Sequence, residues 1–245
     1  MKSLPFLSML AVSGMLFFSS CGGNVEKKTT DNAGNDTAKT TTAEPVPVNT
    51  IVTTPQGMIV VRHAVKDFAK WKTSYDAHDS LRLVFGVHSY VIGRGEQDSN
   101  MVFVATKVDD MAKAKAFAKD PSLKQAMQKG GVVGTPVIQF LNIVFQDTAL
   151  IESKLRSMTQ FTVKDWDAWQ KAFAEGKQER MDNGIMQRGY GHDESDNHKV
   201  TLVTAITDTA KAHAYWKSDM LKKRRADAGV VGEPQRFVYR VVKRY

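Results

Sequence analysis

An internal repeat is the feature that most restricts what this chain can fold into. Residues 131–136 read GVVGTP, and the phrase returns as GVVGEP at residues 229–234, an offset of 98 positions. At the same offset VKDFAKW, residues 65–71, lies over VKDWDAW, residues 163–169, and no gap is needed in between. About a quarter to a third of these aligned positions are identical. The sequence therefore predicts two copies of one unit of about ninety residues, the size of a small domain.

Each copy has a pattern that predicts the order βαββαβ. In the first copy, residues 58–65 are rich in β-branched residues and predict a strand. Asp67 is placed to cap a helix whose apolar face carries Phe68, Trp71 and Tyr75 and which is expected to end near Phe85. The remaining predicted elements are strands at 87–94 and 100–108, helices at 109–120 and 121–130, and a last strand at 136–145. This order is that of a ferredoxin-like unit.

A ferredoxin-like unit leaves one face of its sheet without helices. A single copy would expose an apolar patch larger than soluble domains usually tolerate, and two copies remove it by closing their sheets on each other. We therefore predict an α+β fold in which two tandem ferredoxin-like units, repeat 1 at residues 57–147 and repeat 2 at 148–245, close into one intramolecular barrel. The soluble part is expected to be a monomer.

The repeated phrase is interpreted as a structural junction between the short helix and the last strand. Gly131 and Gly229 would end the helix with positive φ, which glycine adopts without strain. The second glycine would permit a close backbone approach. Pro136 and Pro234 would open the last strand, where a missing N–H does no harm.

The N-terminus predicts export. A single Lys, an apolar run from Leu4 to Phe18 and two serines form a secretory signal at residues 1–20, and the run is too short to predict a membrane span. The stretch from Phe18 to Cys21 resembles a bacterial lipobox, which implies cleavage before Cys21 and lipid on its sulfur; the alternative is an incidental cysteine. Residues 21–56 are too polar to form a core and predict a disordered tether. We expect a protein anchored by lipid in the bacterial cell envelope, at the outer membrane facing the periplasm.

The formal net charge is +8, and repeat 2 carries the basic run LKKRRAD at residues 221–227. A basic patch is one sign of nucleic-acid binding, but an exported, tethered protein is not expected to meet nucleic acid. Attraction to anionic lipid headgroups is an alternative. The four basic residues at 222–225 are interpreted as a solvated helix face.

Residues 65–87 and 109–136 together resemble the dimeric α/β-barrel superfamily, in particular the branch grouped with antibiotic-biosynthesis monooxygenases and small cyclase-like proteins. Members usually build the barrel from two chains, so the resemblance implies that here one chain supplies both halves. Known members include cofactor-free oxygenases, haem-degrading enzymes, isomerases and domains without assigned chemistry. The resemblance therefore indicates a fold and leaves the chemistry open.

Polar candidates for a ligand pocket come from repeat 1, where six residues are placed by three elements. Alternation puts His88, Tyr90 and Arg94 on one face of the second strand. His63 lies on the first strand, and His78 and Arg82 are four residues apart on the predicted helix. The predicted pocket is lined by some of His63, His78, Arg82, His88, Tyr90 and Arg94.

Repeat 2 does not keep these histidines. It has Phe161, Gly176 and Met186 where repeat 1 has the three histidines, and the arginine at position 82 is the one residue of the set that recurs, as Arg180. Two matching sites are therefore not expected, and one asymmetric site in repeat 1 is.

Two functions remain open from the sequence. The first is an envelope-anchored lipoprotein whose barrel binds a small molecule or a partner. The second is a cofactor-independent monooxygenase or isomerase for a small aromatic or enol-like substrate, with His78 or His88 as general base and Arg82 or Arg94 holding the charge. Whether the protein is an enzyme is left open. No cofactor is expected, because the sequence contains no phosphate loop, nucleophile elbow or Cys-x-x-Cys. No metal is expected either, because the candidate ligands lie in a predicted hairpin turn, where solvated polar residues are normal; they are His192, Asp193, Glu194 and His198.

Overall fold

A computed structural model describes residues 49–245. The predicted signal peptide, Cys21 and the predicted tether as far as residue 48 lie outside the described residues. The end of the segment predicted as tether is described, and Ile51–Val52 form a short strand, β1, antiparallel to a strand of repeat 1. The first long strand begins at Gln56 rather than Met58.

The two halves contain the same elements in the same order. Repeat 1 has β2 (Gln56–Val65), α1 (Phe68–Ala77), α2 (Asp79–Val84), β3 (Val87–Gly95), β4 (Met101–Val108), α3 (Met111–Lys119), α4 (Pro121–Lys129) and β5 (Val132–Asp147). Repeat 2 has β6 (Leu155–Val163), α5 (Trp166–Glu175), α6 (Lys177–Asp182), β7 (Ile185–Asp193), β8 (Lys199–Ile206), α7 (Thr209–Lys217), α8 (Asp219–Asp227) and β9 (Val230–Arg244). The predicted fold class is confirmed.

The strands form a closed ring. Neighbouring strands run β5-β2-β4-β3-β9-β6-β8-β7, and β7 pairs with β5 to complete the circle. β5 pairs with β2 of its own repeat and then, from Leu141 onward, with β7 of the other. β9 does the same, pairing first with β6 and then with β3. The end of the last strand in each repeat therefore pairs with a strand of the other repeat.

The inside of the barrel is one apolar core with contributions from both repeats. Met58, Phe103 and Leu141 of repeat 1 pack with Met158 and Tyr239 of repeat 2. The rings of Phe103 and Tyr239 stack with centroids 4.2 Å apart. The sheet faces that lack helices cover one another, which is the reason given above for the duplication. The oligomeric state in solution stays a prediction.

The helix predicted to run from residue 68 to 85 is two helices. Asp67 caps α1 as expected, its carboxylate accepting a hydrogen bond from the Lys70 N–H at 2.6 Å. The chain then leaves helical geometry at His78 (φ −95°, ψ 11°) before α2 begins. Repeat 2 breaks at the equivalent residue, Gly176, with nearly the same angles. The break lets α2 turn so that Arg82 is buried.

The repeated glycine-valine phrase has the predicted helix-end geometry, with φ of 77° at Gly131 and 72° at Gly229. The last strand, however, begins at Val132, four residues before Pro136, and a register shift follows opposite Arg62 and Ala64. Gly134 lies in this irregularity with φ of 68°, and no atom lies within 4 Å of where its Cβ would be. The second glycine therefore provides a positive φ for a bulge rather than a close approach. Across residues 49–245, no helix is long and apolar enough to cross a membrane.

Candidate functional site

A cavity of about 80 Å³ lies between the outer face of the repeat 1 sheet and helices α1 to α4. We call it the repeat 1 cavity. Its walls are mainly apolar, with Trp71 and Tyr75 from α1, Phe117 from α3 and aliphatic side chains from β2, β4 and β5. Three of the six predicted site residues line it, namely His63, His78 and Arg82. Such a space, apolar with a few convergent polar groups, is the usual form of a small-molecule site.

His63 is the most unusual group in this cavity. Its side chain is 4% exposed, and neither ring nitrogen has a hydrogen-bond partner among residues 49–245. Burial lowers the pKa of His63 to about 4, so the ring is neutral at pH 7. A neutral imidazole presents one donor and one acceptor. Buried polar atoms in native proteins are nearly always paired, so this pair of unused nitrogens is the clearest sign of a ligand in repeat 1.

Arg82 is held firmly at the edge of the same cavity. Its Nη1 donates to the Tyr75 carbonyl at 2.6 Å and its Nη2 to Asp79 Oδ1 at 2.8 Å. The guanidinium carbon lies 3.8 Å from the centroid of the Tyr75 ring. Its Nε has no partner within the described part of the chain. Hydrogen bonds from two nitrogens of Arg82 thus fix the side chain, and the third nitrogen, Nε, remains for a ligand.

His78 stands at the break between α1 and α2, and its Nδ1 is buried without a partner in residues 49–245. The nearby Ser74 hydroxyl is already used, since it donates to the Ala126 carbonyl at 3.0 Å. His78 is therefore the second histidine with an unused nitrogen at this cavity.

The other three predicted residues lie elsewhere. His88 pairs with Asp109 at 2.7 Å, with 45% of its side chain exposed. Arg94 donates to the Ser99 carbonyl at 2.6 Å and lies over the Phe68 ring. Tyr90 lines a different space, inside the barrel.

The prediction that His88, Tyr90 and Arg94 share one face of β3 is wrong, because it assumed that side chains alternate strictly along the strand. The register against β4 shifts between Ser89 and Val91, which leaves Tyr90 as an extra residue in a β-bulge. Ser89 bonds the Tyr75 hydroxyl on the helix side, while Tyr90 and Val91 pack against the barrel core. Tyr90 therefore does not share a face with Ile92 and Arg94.

A matching cavity of about 80 Å³ lies at the equivalent place in repeat 2, between its sheet and helices α5 to α8. We call it the repeat 2 cavity. Phe161 replaces His63 in the same position. The Phe161 and Trp169 ring centroids are 5.5 Å apart at 56°, and the His63 and Trp71 centroids are 5.5 Å apart at 53°.

The repeat 2 cavity is lined by four arginines, of which the sequence analysis named three: Arg180 without a role, and Arg224 and Arg225 as part of a solvated helix face. The four are Arg180, Arg224, Arg225 and Arg236. The run at residues 222–225 was interpreted as wholly solvated, which holds for Lys222 and Lys223 but not for the two arginines, both half-buried. The alignment contained the signal, because Arg224 lies over Ala126, a position on the inward face of its helix.

A third, smaller cavity of about 70 Å³ lies inside the barrel between the two repeats. Its polar end is closed by Arg188, which donates to Asp147 at 2.9 Å and to the Ala149 carbonyl at 2.5 Å. Arg156 is also buried there and donates to the Ser153 and Leu155 carbonyls. Both arginines have protein partners, although Arg188 Nε and Gln146 Oε1 at this cavity are buried without a partner among residues 49–245.

Comparison with known proteins gives the fold. No family model and no curated protein matches the sequence. Among solved structures, a protein of Fusobacterium nucleatum provisionally assigned as a monooxygenase has 13% identity and a TM-score of 0.53, covering 78% of this chain and 94% of its own. One of Lactobacillus acidophilus with the same provisional assignment has 12% identity and a TM-score of 0.51, covering 77% and 94%. An anthrone oxidase-like protein has 14% identity and a TM-score of 0.52, covering 79% and 94%. The fold expected from the dimeric α/β-barrel resemblance is confirmed.

Proposed function

We propose that the protein binds a small, mainly apolar organic molecule of phenol-like or enol-like character in the repeat 1 cavity. The observation that carries this proposal is the pair of unpartnered ring nitrogens on a 4% exposed histidine, His63, inside an apolar space. Leaving buried polar atoms unpaired costs about 1–3 kcal/mol each. A ligand hydroxyl would satisfy one of the two ring nitrogens, either by donating to the unprotonated nitrogen or by accepting from the N–H.

The walls suit the rest of such a molecule. Trp71 and Tyr75 present aromatic surface, and the Trp71 ring packs 5.5 Å from the His63 ring. An aromatic ligand in contact with this surface would gain aromatic contacts as well as burial. The unused Nε–H of Arg82 would stabilise the ligand oxygen if it carried negative charge.

The test replaces His63 with the residue that repeat 2 already has there. Titration of the protein with 2-naphthol, followed by isothermal calorimetry, should give saturable binding that weakens at least about tenfold in His63→Phe, because a charge-free hydrogen bond of about 1.4 kcal/mol is lost. Phe161→Leu changes the equivalent site in repeat 2 and should leave the affinity unchanged. Equal affinity of wild type and His63→Phe for 2-naphthol would refute the proposal.

The second candidate is cofactor-independent oxygenation of the bound molecule, which is supported by the unused Nδ1 of His78 at the same cavity. His63, with a pKa near 4, is a weak base at neutral pH, whereas a general base works best with a pKa near the working pH. His78 is then the other histidine at this cavity whose position allows it to remove the proton. Some proteins of this fold are provisionally assigned as monooxygenases.

Oxygen uptake separates binding from catalysis. If the second candidate is right, 2-naphthol or a related phenol will drive oxygen consumption by the wild type. His78→Gly, which copies Gly176 of repeat 2, should then abolish the consumption while 2-naphthol still binds. Binding without oxygen uptake in the wild type for every phenol tried would leave the protein a binder and reject the enzyme.

We further propose that the protein works on a membrane, anchored through lipid on Cys21. The support is the lipobox-like stretch before a lone cysteine. Cys21→Ala should move the protein from the detergent phase to the aqueous phase in phase partitioning. A variant that still enters the detergent phase as fully as the wild type would contradict the anchor.

A further inference from the structure

We propose that the repeat 2 cavity is a second binding site of different specificity, for an organic carboxylate whose body is compact, apolar and aromatic. The inference is independent of the ligand proposed for repeat 1. It rests on four arginines around one cavity, on the loss of the acid that pairs with the shared arginine in repeat 1, and on a nearly fully buried guanidinium nitrogen without a partner.

The cavity carries more positive charge than its surroundings neutralise. Glu179 is the carboxylate that engages it, accepting from Arg224 Nε and Nη2 at 3.0 and 2.5 Å. Among the described residues 49–245, no ion pair joins a carboxylate to Arg180, Arg225 or Arg236. Glu179 is therefore the one acid of the described chain in an ion pair here. The charges of Glu233 and Glu175 act on Arg225 and Arg224 from farther away, so four guanidinium groups meet three acids.

Arg180 shows where an anion would be received. It is 6% exposed, and its Nη1 donates to the Phe173 carbonyl at 2.7 Å, just as Arg82 donates to Tyr75 in repeat 1. In repeat 1 the second nitrogen of the arginine is satisfied by Asp79, but repeat 2 has Lys177 at that position. The Nη2 of Arg180 is accordingly buried without a partner in the described chain. A buried charge in this condition is costly unless an anion joins it.

Arg236 approaches from the strand side of the cavity. Its guanidinium carbon lies 3.9 Å from the Trp216 ring centroid, and its Nε donates to Thr159 Oγ1 at 3.3 Å. Burial and, to a lesser extent, the charge of nearby Arg225 together lower the pKa of Arg236 to about 10. Two mutually repelling guanidinium groups therefore share this wall, which an anion between them would relieve.

The scaffold does not need this charge. Repeat 1 builds a cavity of the same volume with Ala126, Met127 and Ile138 where repeat 2 has Arg224, Arg225 and Arg236. The apolar version packs in the same fold. The arginines of repeat 2 therefore change the ligand preference of the cavity toward anions and are not required for folding.

The remaining walls decide between an anion with an apolar body and a bare inorganic ion. Trp169, Phe173, Ile185 and Leu202 supply aromatic and aliphatic surface beside the arginines. A guanidinium group binds carboxylate and phosphate alike, but a bare phosphate would leave this apolar surface uncovered. An aromatic carboxylate covers it and places its charge on the arginines.

The test compares two naphthalene ligands that differ in charge, and a bare inorganic anion. Intact protein in detergent is titrated at low salt with 2-naphthoate, 2-naphthol and inorganic phosphate. We expect saturable 2-naphthoate binding that weakens at least about tenfold in Arg236→Ile and in Arg225→Met, both copies of repeat 1. His63→Phe should leave 2-naphthoate binding unchanged. Arg236→Lys should bind with intermediate affinity, because it keeps the charge and loses the planar fork.

Three results would overturn the inference. They are no saturable binding of 2-naphthoate to the wild type, 2-naphthoate affinity unchanged in both arginine variants, and phosphate bound as tightly as 2-naphthoate. Circular dichroism and thermal melting guard against a folding defect in the variants. Both should melt at or above the wild-type temperature, because each removes a poorly neutralised cation. Failure of 2-naphthol to bind would refute the repeat 1 proposal alone.

Discussion

The repeat 1 and repeat 2 cavities have the same architecture and different chemistry. In both, a tryptophan on the first helix packs beneath an aromatic ring on the first strand, with centroids 5.5 Å apart. In repeat 1 the aromatic ring on the strand is a neutral histidine in apolar surroundings. In repeat 2 it is a phenylalanine in a cavity lined by four arginines. Duplication has kept the packing constraints in both copies and left the polar lining to diverge.

The shared arginine belongs to the scaffold in part. Arg82 and Arg180 donate to the backbone at the end of the preceding helix at 2.6 and 2.7 Å, and their guanidinium carbons lie 3.8 and 3.7 Å from an aromatic ring. This common bond ties the two short helices together across their break. The two arginines differ at Nη2, which donates to Asp79 in Arg82 and is buried without a partner among residues 49–245 in Arg180.

The largest expected effect concerns what the cavities share. Trp71→Ala and Trp169→Ala should each lower the free energy of unfolding by about 3–5 kcal/mol, because each empties a large volume in a packed core. Both side chains are almost fully buried. Urea denaturation measures the loss. A loss in one repeat and none in the other would show that the two scaffolds are not equivalent.

The second prediction is that stability depends on pH through His63, which the repeat 2 cavity lacks. The pKa of His63 is about 4 in the folded protein against an ordinary value of 6.5. Between these values the unfolded chain binds the proton and the folded chain does not, so stability falls as pH drops from 6.5 to 4. The loss from His63 should reach about 3 kcal/mol.

Unfolding curves at pH 7 and pH 4 measure this loss. His63→Phe should reduce it, and Phe161→His should add a similar loss from repeat 2, because the new histidine would occupy the equivalent buried position. A wild type and a His63→Phe variant with the same pH dependence would show that the histidine is not buried as described.

The third prediction concerns the repeated junction. Gly131→Val and Gly229→Val should each destabilise the protein by about 1–2 kcal/mol or somewhat more, because a β-branched residue is strained at positive φ. No atom lies closer than 3.6 Å to the Cβ position at either site, so strain and not collision is tested. Gly131→Asn is the control and should cost less, since asparagine tolerates this conformation. Melting temperatures unchanged in both valine variants would contradict the assignment.

The smallest effect is expected on the outer face of α8. Lys223 forms an exposed i, i+4 pair with Asp227 at 2.7 Å. Lys223→Ala should change stability by only about 0.3–0.5 kcal/mol and leave 2-naphthoate binding unchanged, in contrast to Arg225→Met on the same helix. Thermal melting and calorimetry check both points. A large loss of 2-naphthoate binding in Lys223→Ala would show that bulk charge, rather than the cavity, attracts the anion.

The fold could be predicted because the repeat gives two independent observations of each structural position. Gly131 and Gly229 confirm one another as helix-end glycines, and Trp71 and Trp169 as core. The site was harder to predict for two physical reasons. The bulge at Tyr90 depends on pairing with β4, which periodicity along β3 does not contain. Arg224 and Arg225 have long apolar stems that pack inward while their charges resemble those of a solvated face.

The exchange of strand ends between the repeats also governs how the chain is made. Val91 of β3 pairs with Arg244 of β9, so two neighbouring strands of the barrel come from segments about 150 residues apart. Until repeat 2 and its strand β9 have been synthesised, the residues that cover the apolar inner face of repeat 1 are missing. A growing chain in this state is prone to aggregation. We therefore expect the incomplete chain to need protection from aggregation during synthesis. A stop codon in β9 should reduce the yield of folded protein more than the small number of deleted residues suggests.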